Sequence, residues 1–395
     1  MKKKMILGLA VAALTFASCS KDEVTNVNRN NPNSINFEVS TGKTRANIVD
    51  LAGLQAEGFG VFATNTSAAS MFIDNEGYKF VAGAWQWDMP TPIMWPSNEN
   101  EFPVNFYAYY PKANTTLSTN LLADYTIAGT PETQIDLLAA NYTDVVIRPS
   151  SGNVSLAFKH ILSKIDFKVV TGANVTVEVQ SIAIRKVGNA RTYNYADLSW
   201  TSAPATGNAS YKYMSAPVSD PANVFVGQTT AASVTGSSGS LMLMPQNLSG
   251  RAWDKTLAGL AADQSYIEVV YRIYETSTGD DVVGFSDATD HPMYIALNSD
   301  ATGPLFVKVG YALPTNWEMS KAYTYTLYLG TPDSSGGNLI DENFVDEDGD
   351  DSGLPVVDPS TGEEIEIPEV VFPNKPIGFV VSVEDWGAAI DNPLQ

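Results

Sequence analysis

The sequence predicts an all-β protein built from β-sandwiches, and three observations carry that prediction. Apolar residues recur at every second position in a series of short runs, the period of a strand with one buried face. Gly, Pro, Asn, Ser and Thr separate the runs, as residues that favour turns should. Helical periodicity is confined to residues 51–56 and 253–262, each long enough only for a short helix or turn. Many short strands with turn signals between them favour packed sheets over an α/β fold.

Composition limits what such a protein can do. The chain has 395 residues, of which 44% are hydrophobic, enough for a packed core and for two or three domains. Lys and Arg total 23 against 44 Asp and Glu, a formal charge of −21. A phosphate backbone demands a basic face, so nucleic acid is excluded as a partner, and electrostatic docking on anionic lipid is disfavoured. Two His and one Cys leave little for a zinc site or a Cys/His nucleophile, and one Cys allows no intrachain disulfide.

That Cys stands in an informative place. Lys2, Lys3 and Lys4 precede an apolar run of twelve residues, 5–16. The run is short of the roughly 20 residues a membrane-spanning helix needs and fits the hydrophobic part of a secretory signal. Ala17 and Ser18 lead into Cys19. The pattern resembles a bacterial lipobox, with Phe16 where Leu is usual. It makes residues 1–18 a signal peptide and Cys19 an acylated N-terminus; the alternative is an ordinary signal with an incidental Cys. Several acyl chains anchor stably where one is marginal. Ser20-Lys21-Asp22-Glu23 follows and resembles the acidic tether of surface-exposed lipoproteins of Bacteroidota. Losing residues 1–18 removes three lysines and no acid, taking the charge from −21 to −24.

The strands follow in order. Residues 24–34 are rich in Asn and read as a spacer. Ile35, Phe37 and Val39 then alternate with polar residues, predicting a half-buried strand. A polar stretch containing Thr44-Arg45-Ala46 reads as an exposed loop. Alternation returns at Ile165, Phe167 and Val169, at Val175, Val177 and Val179, at Ile267, Val269, Tyr271 and Ile273, and at Tyr323, Tyr325, Leu327 and Leu329. A polar Pro/Ser/Gly stretch at 148–153 suggests a boundary between domains 46–150 and 151–395. Residues 331–376 break the pattern, since no Lys or Arg occurs between Lys321 and Lys375. This acidic segment reads as a long solvated insertion, with a small hairpin around 354–371. Ile377, Phe379, Val381 and Val383 then share one face of a final strand.

Candidate chemistry is sparse. Asp346, Asp348 and Asp350 have the alternate spacing of a calcium loop. Counted from Asp346, however, the sixth position is Asp351 rather than Gly and the twelfth is Val357 rather than Glu, so the EF-hand pattern fails. A solvated acidic loop is the better reading, and no cofactor is expected. His160 has no acidic or Ser neighbour in sequence and reads as structural, and His291 precedes Pro292 in a loop. No nucleophile elbow, Walker or dinucleotide pattern occurs, and no carboxylate pair stands out as a glycosidase pair, so the chain reads as a non-enzyme. Trp85, Trp87 and Trp95, with Tyr107, Tyr109 and Tyr110, form an aromatic-rich stretch. Such rings serve either as sandwich packing, the favoured reading, or as stacking platforms for sugars.

Several segments together resemble the fimbrillin family of Bacteroidota, the subunits and anchors of type V pili. They are Thr44-Arg45-Ala46, Phe106-Tyr107-Ala108-Tyr109-Tyr110-Pro111, Gln134-Ile135-Asp136-Leu137-Leu138-Ala139 and Phe158-Lys159-His160-Ile161-Leu162-Ser163-Lys164-Ile165. Leu243-Met244-Pro245-Gln246, the stretch 317–329 and Val383-Glu384-Asp385-Trp386 continue the series. The order of the segments carries the resemblance. It implies two transthyretin-like β-sandwich domains and export as a lipoprotein to the outer membrane. It further implies an Arg-specific protease that cuts at Arg45 and Ala46, so that residues 19–45 form a propeptide containing the first strand. Removing Ile35, Phe37 and Val39 would empty a groove, and the strand bearing Ile377, Phe379, Val381 and Val383 would donate to a neighbour. The implied partners are other pilus subunits, with the outer membrane as anchor before processing. The alternatives are an anchor or tip role in the same pilus, and a surface lipoprotein that binds glycans through its aromatic cluster.

Overall fold

The computed structural model describes residues 33–41, 51–65, 71–114, 122–173, 175–217, 220–236, 239–252, 264–275, 307–313, 315–329, 338–339 and 377–385. Its N-terminal part contains β1 (Asn36–Thr41), helix α1 (Leu51–Glu57), β2 (Phe59–Asn65), β3 (Ile73–Val81), β4 (Ala84–Trp87), β5 (Val104–Tyr110), β6 (Leu122–Thr126), β7 (Leu138–Val145) and β8 (Asn153–His160). All but β6 join one seven-stranded sheet, in the order β1-β8-β7-β5-β2-β3-β4. Strand β8 shows why these segments pair as they do. Val154, Leu156, Phe158 and His160 are buried while Ser155, Ala157 and Lys159 are exposed, the period-two pattern of a sheet with one wet face. Helix α1 occupies the first of the two stretches with helical periodicity. Gly58 ends it at φ +70°, and a Cβ there would stand 2.7 Å from the Tyr78 carbonyl, so Gly is required at this turn.

The C-terminal part contains β9 (Ser163–Thr171), β10 (Val175–Val187), β11 (Ala190–Asn194), β12 (Ser199–Trp200), β13 (Ala209–Ser215), β14 (Val224–Val226), β15 (Ala232–Ser233), β16 (Leu241–Leu243) and β17 (Gln246–Asn247). It continues with β18 (Tyr266–Glu275), β19 (Val307–Ala312), β20 (Asn316–Trp317), β21 (Lys321–Leu329), β22 (Asn338–Leu339) and β23 (Ile377–Asp385). One sheet runs β15-β9-β21-β23, with β16 also on β9; the other runs β13-β10-β18-β19-β22, with β14 also on β10. Ile165, Phe167, Tyr325 and Leu327 from the first pack with Val177, Val179, Ile267 and Val269 from the second in one apolar cluster.

The two parts are joined firmly. Strand β6 pairs with β11 of the C-terminal part along five residues. The Met242 amide donates to the Gln134 side chain at 2.9 Å, and the Ile161 amide to the Leu137 carbonyl at 2.9 Å. The change of sheet comes at Ile161 and Leu162, because β8 still pairs with β1 and β7. It therefore follows the polar stretch 148–153 instead of falling within it. Within the expected insertion 331–376, Asn338 and Leu339 pair with Gly310 and Val309 and so belong to a core sheet. The expected hairpin at 354–371, His291 and the periodic stretch 253–262 lie outside the described residues.

Candidate functional site

The most distinctive arrangement is β1 in its groove. The strand lies at the end of the first sheet and runs parallel to β8, with Phe37 opposite Val154 and Val39 opposite Leu156. Ile35 and Phe37 are fully buried and Val39 is 2% exposed. The Phe37 ring meets four others edge-on, with centroids 5.0 Å from Tyr78, 5.6 Å from Trp87, 5.6 Å from Phe106 and 6.2 Å from Phe59. These rings come from β2, β3, β4 and β5, so Phe37 closes the core of the whole N-terminal sheet. Burying Ile35, Phe37 and Val39 contributes roughly 5–9 kcal/mol, and well-placed ring pairs add about 0.5–1.5 kcal/mol each.

Main-chain atoms of β1 are held as well. The Trp87 Nε1–H donates to the Ile35 carbonyl at 2.9 Å, and the Phe37 amide donates to the Tyr78 hydroxyl at 3.3 Å. Burial holds the Tyr78 phenol well above the usual tyrosine range, partly offset by that amide, so the hydroxyl stays neutral beside the strand. The Ile35 amide donates to the Ile93 carbonyl at 2.8 Å, and the Trp95 amide to the Asn33 carbonyl at 3.0 Å. Side-chain bonds from Arg148 to Asn33 at 2.6 Å and from Asn153 to Glu38 at 2.8 Å flank the groove.

Strand β23 belongs to a different sheet, β15-β9-β21-β23. It pairs antiparallel with β21 along nine residues, Lys321 opposite Asp385 through Leu329 opposite Ile377. Among the described residues it is the last strand in its sheet order, paired with a neighbour on one side. Val381 is half-buried against the C-terminal core, and Lys321 forms an ion pair with Asp385.

The other expected residues divide sharply. Trp85, Trp87, Trp95, Tyr107, Tyr109 and Tyr110 are all buried, none more than 6% exposed. This corrects the sugar-platform alternative, because rings enclosed in a core offer no face for stacking. His160 is buried and structural, and it has the acidic partner its sequence neighbourhood did not reveal. Its Nδ1 lies 2.9 Å from Asp136 Oδ1, and its carbonyl accepts from the Ser320 hydroxyl. Among the described residues no His/Cys/Asp/Glu cluster is arranged to hold a metal ion; Asp346, Asp348 and Asp350 lie outside them, as do Cys19, Arg45 and Ala46. Sequence reasoning missed Tyr78, Trp87 and Asp136 as partners. Trp87 was visible only as one of the clustered aromatics and Asp136 only as the acid in Gln134–Ala139, and no local pattern singles out Tyr78, 41 residues from Phe37.

A family model described as fimbrillin-like matches residues 44–342, a span that contains most of the core of both parts and leaves β1 and β23 outside. The chain is similar to the fimbrium subunit Fim1C of Phocaeicola vulgatus, with 26% identity over 212 residues. The match covers 46% of this chain and 55% of that relative, so it spans about half the relative's length. Among solved structures, a fimbrial protein from Bacteroides vulgatus ATCC 8482 aligns with a TM-score of 0.53 at 17% identity, covering 75% of this chain and 95% of that one. At that identity the likeness is one of fold.

Proposed function

Since the chain belongs to the fimbrillin-like family, we propose that it is a structural, non-enzymatic subunit of a pilus, exported as a lipoprotein and assembled by strand exchange. The observation that carries this reading is that a short segment ending four residues before Arg45 supplies the central side chain of the N-terminal core.

In this scheme acylated Cys19 holds the precursor at the outer membrane. An Arg-specific protease hydrolyses the Arg45–Ala46 bond, and β1 is then held by non-covalent contacts alone. Those contacts are strong: roughly 5–9 kcal/mol of apolar burial resists spontaneous loss. The strand therefore leaves when another strand takes over its pockets and its pairing with β8. Replacement keeps the groove filled throughout, which avoids an open apolar core and an unpaired sheet edge. Strand β23, last in its sheet order among the described residues, is the donor in this reading. Directional exchange between subunits then yields a fibre at the cell surface, with other pilus subunits as partners.

The experiment is to express Arg45→Ala in the native host. The precursor should remain full-length and unpolymerised. Normal fibres from this variant would show that the cut lies elsewhere or is not needed.

A further inference from the structure

An amine and a carboxamide meet on the far side of the N-terminal sheet from β1. Asn75 lies in β3, where the pairing with β2 sets Asp74 and Asn75 against the single residue Phe62, a bulge that re-aims a side chain. Its φ of +56° falls in the left-handed region, which Asn enters more readily than most residues. Lys112 stands two residues beyond β5. Its Nζ donates to Asn75 Oδ1 and to the Asn75 carbonyl, both at 2.9 Å. The hydroxyl of Tyr109, a fully buried residue, donates to the same Oδ1. The Tyr109 ring reaches β3 by crossing β2 over Gly60, where a Cβ would stand 2.2 Å from it. We infer that Lys112 and Asn75 form a modification site, at which Nζ and Cγ join in an intramolecular amide bond with release of ammonia.

The reaction needs a neutral amine, a polarised carbonyl and a short approach. Burial holds the Lys112 amine below the usual lysine range, against the charges of Glu76 and Asp88 that raise it, and a neutral lysine is a nucleophile. The Tyr109 hydroxyl sits at Oδ1, where negative charge develops as the amine adds. A carbonyl bond is about 1.23 Å long, so Cγ lies no more than about 4.1 Å from Nζ. A small rotation of the lysine side chain closes this to the roughly 3–3.5 Å of a near-attack geometry. The amine adds to Cγ, and the carbonyl electron pair moves to Oδ1. One Nζ proton passes to Nδ2, the Cγ–Nδ2 bond breaks, and ammonia leaves. The new bond staples β3, which carries Tyr78, to the chain just after β5, which carries Phe106. It thereby fixes two walls of the Phe37 pocket, and it forms whether or not β1 is exchanged.

Mass spectrometry of the full wild-type chain, denatured and digested with trypsin, tests the bond without any variant. Asn75 falls in the tryptic peptide 46–79 and Lys112 ends the peptide 80–112. The expected product is 46–79 joined to a peptide left uncut after Lys112, lighter than the two apart by about 17 Da, the mass of ammonia. Lys112→Arg and Asn75→Ala should each abolish the joined species. Tyr109→Phe keeps the ring and should lower the joined fraction at early times after synthesis at least about tenfold. Separate peptides 46–79 and 80–112 at their unmodified masses would overturn the inference, leaving Lys112 as a hydrogen-bonding clasp on the bulge. Loss of ammonia from 46–79 alone, with the chain cut after Lys112, would also overturn it, because Asn75 would then have cyclised on its own main chain. A Tyr109→Phe chain that joins as fast as the wild type would overturn the part assigned to the hydroxyl.

Discussion

The Trp87 indole donates to the carbonyl of Ile35 at 2.9 Å, bridging 52 residues of sequence. It ties β4, at one end of the sheet order, to the segment that opens the other end. The groove therefore grips its strand twice, through the rings around Phe37 and through the main chain.

These two grips should separate by magnitude. Phe37→Ala removes a ring from a filled aromatic core and should cost about 3–5 kcal/mol. Trp87→Phe keeps a ring but leaves the Ile35 carbonyl without this donor, a loss of about 1–3 kcal/mol. Urea unfolding of both variants measures the difference. A Phe37→Ala chain as stable as the wild type would mean that β1 is not part of the core in solution.

A second prediction concerns the junction of the two parts. Asp136 and His160 are both buried, with Oδ1 and Nδ1 2.9 Å apart, at the end of β8 where the chain leaves the first sheet. Asp136→Ala should lower stability by about 1–3 kcal/mol, the loss of a buried hydrogen bond. Asp136→Asn keeps an acceptor and should cost less. Thermal denaturation reads both, and equal melting of all three chains would show that the contact contributes nothing.

Burial of phenols sets the alkaline limit. Desolvation raises Tyr78, Tyr193, Tyr211, Tyr271 and Tyr311 well above the ordinary value near 10. Tyr325 is pushed up to about 12 by burial, against bonds from Thr315 and Trp317 that lower it. The folded chain thus binds these protons more tightly than the unfolded one. The resulting stability is complete below about pH 10 and is lost as pH rises through the folded values. Tyrosinate absorbance from these residues should appear together with loss of the β-sheet circular dichroism. Full ionisation near pH 10 with the sheet signal intact would contradict this burial.

What the sequence made legible follows from the range of the interactions. Ile35, Phe37 and Val39 reveal their strand because alternation is local. Their partner β8 lies more than a hundred residues away in a parallel pair, and no local pattern encodes that distance. Only the first half of β10 is legible at Val175, Val177 and Val179. A bulge between Val179 and Ser181 shifts the parity, so Ile182 and Ile184 continue the buried face out of step. The six clustered aromatics were ambiguous because a ring looks alike in sequence whether it lines a core or a sugar site. Asp136 and His160, 24 residues apart, meet only through the junction of the two parts.

In the proposed assembly this subunit is cut after Arg45 and gives up its first strand. N-terminal sequencing of fibres sheared from the cell surface tests it most directly. Fibre subunits should start at Ala46, with no acyl group and with residues 33–41 absent. A blocked N-terminus at acylated Cys19, with β1 retained in the fibre, would contradict it.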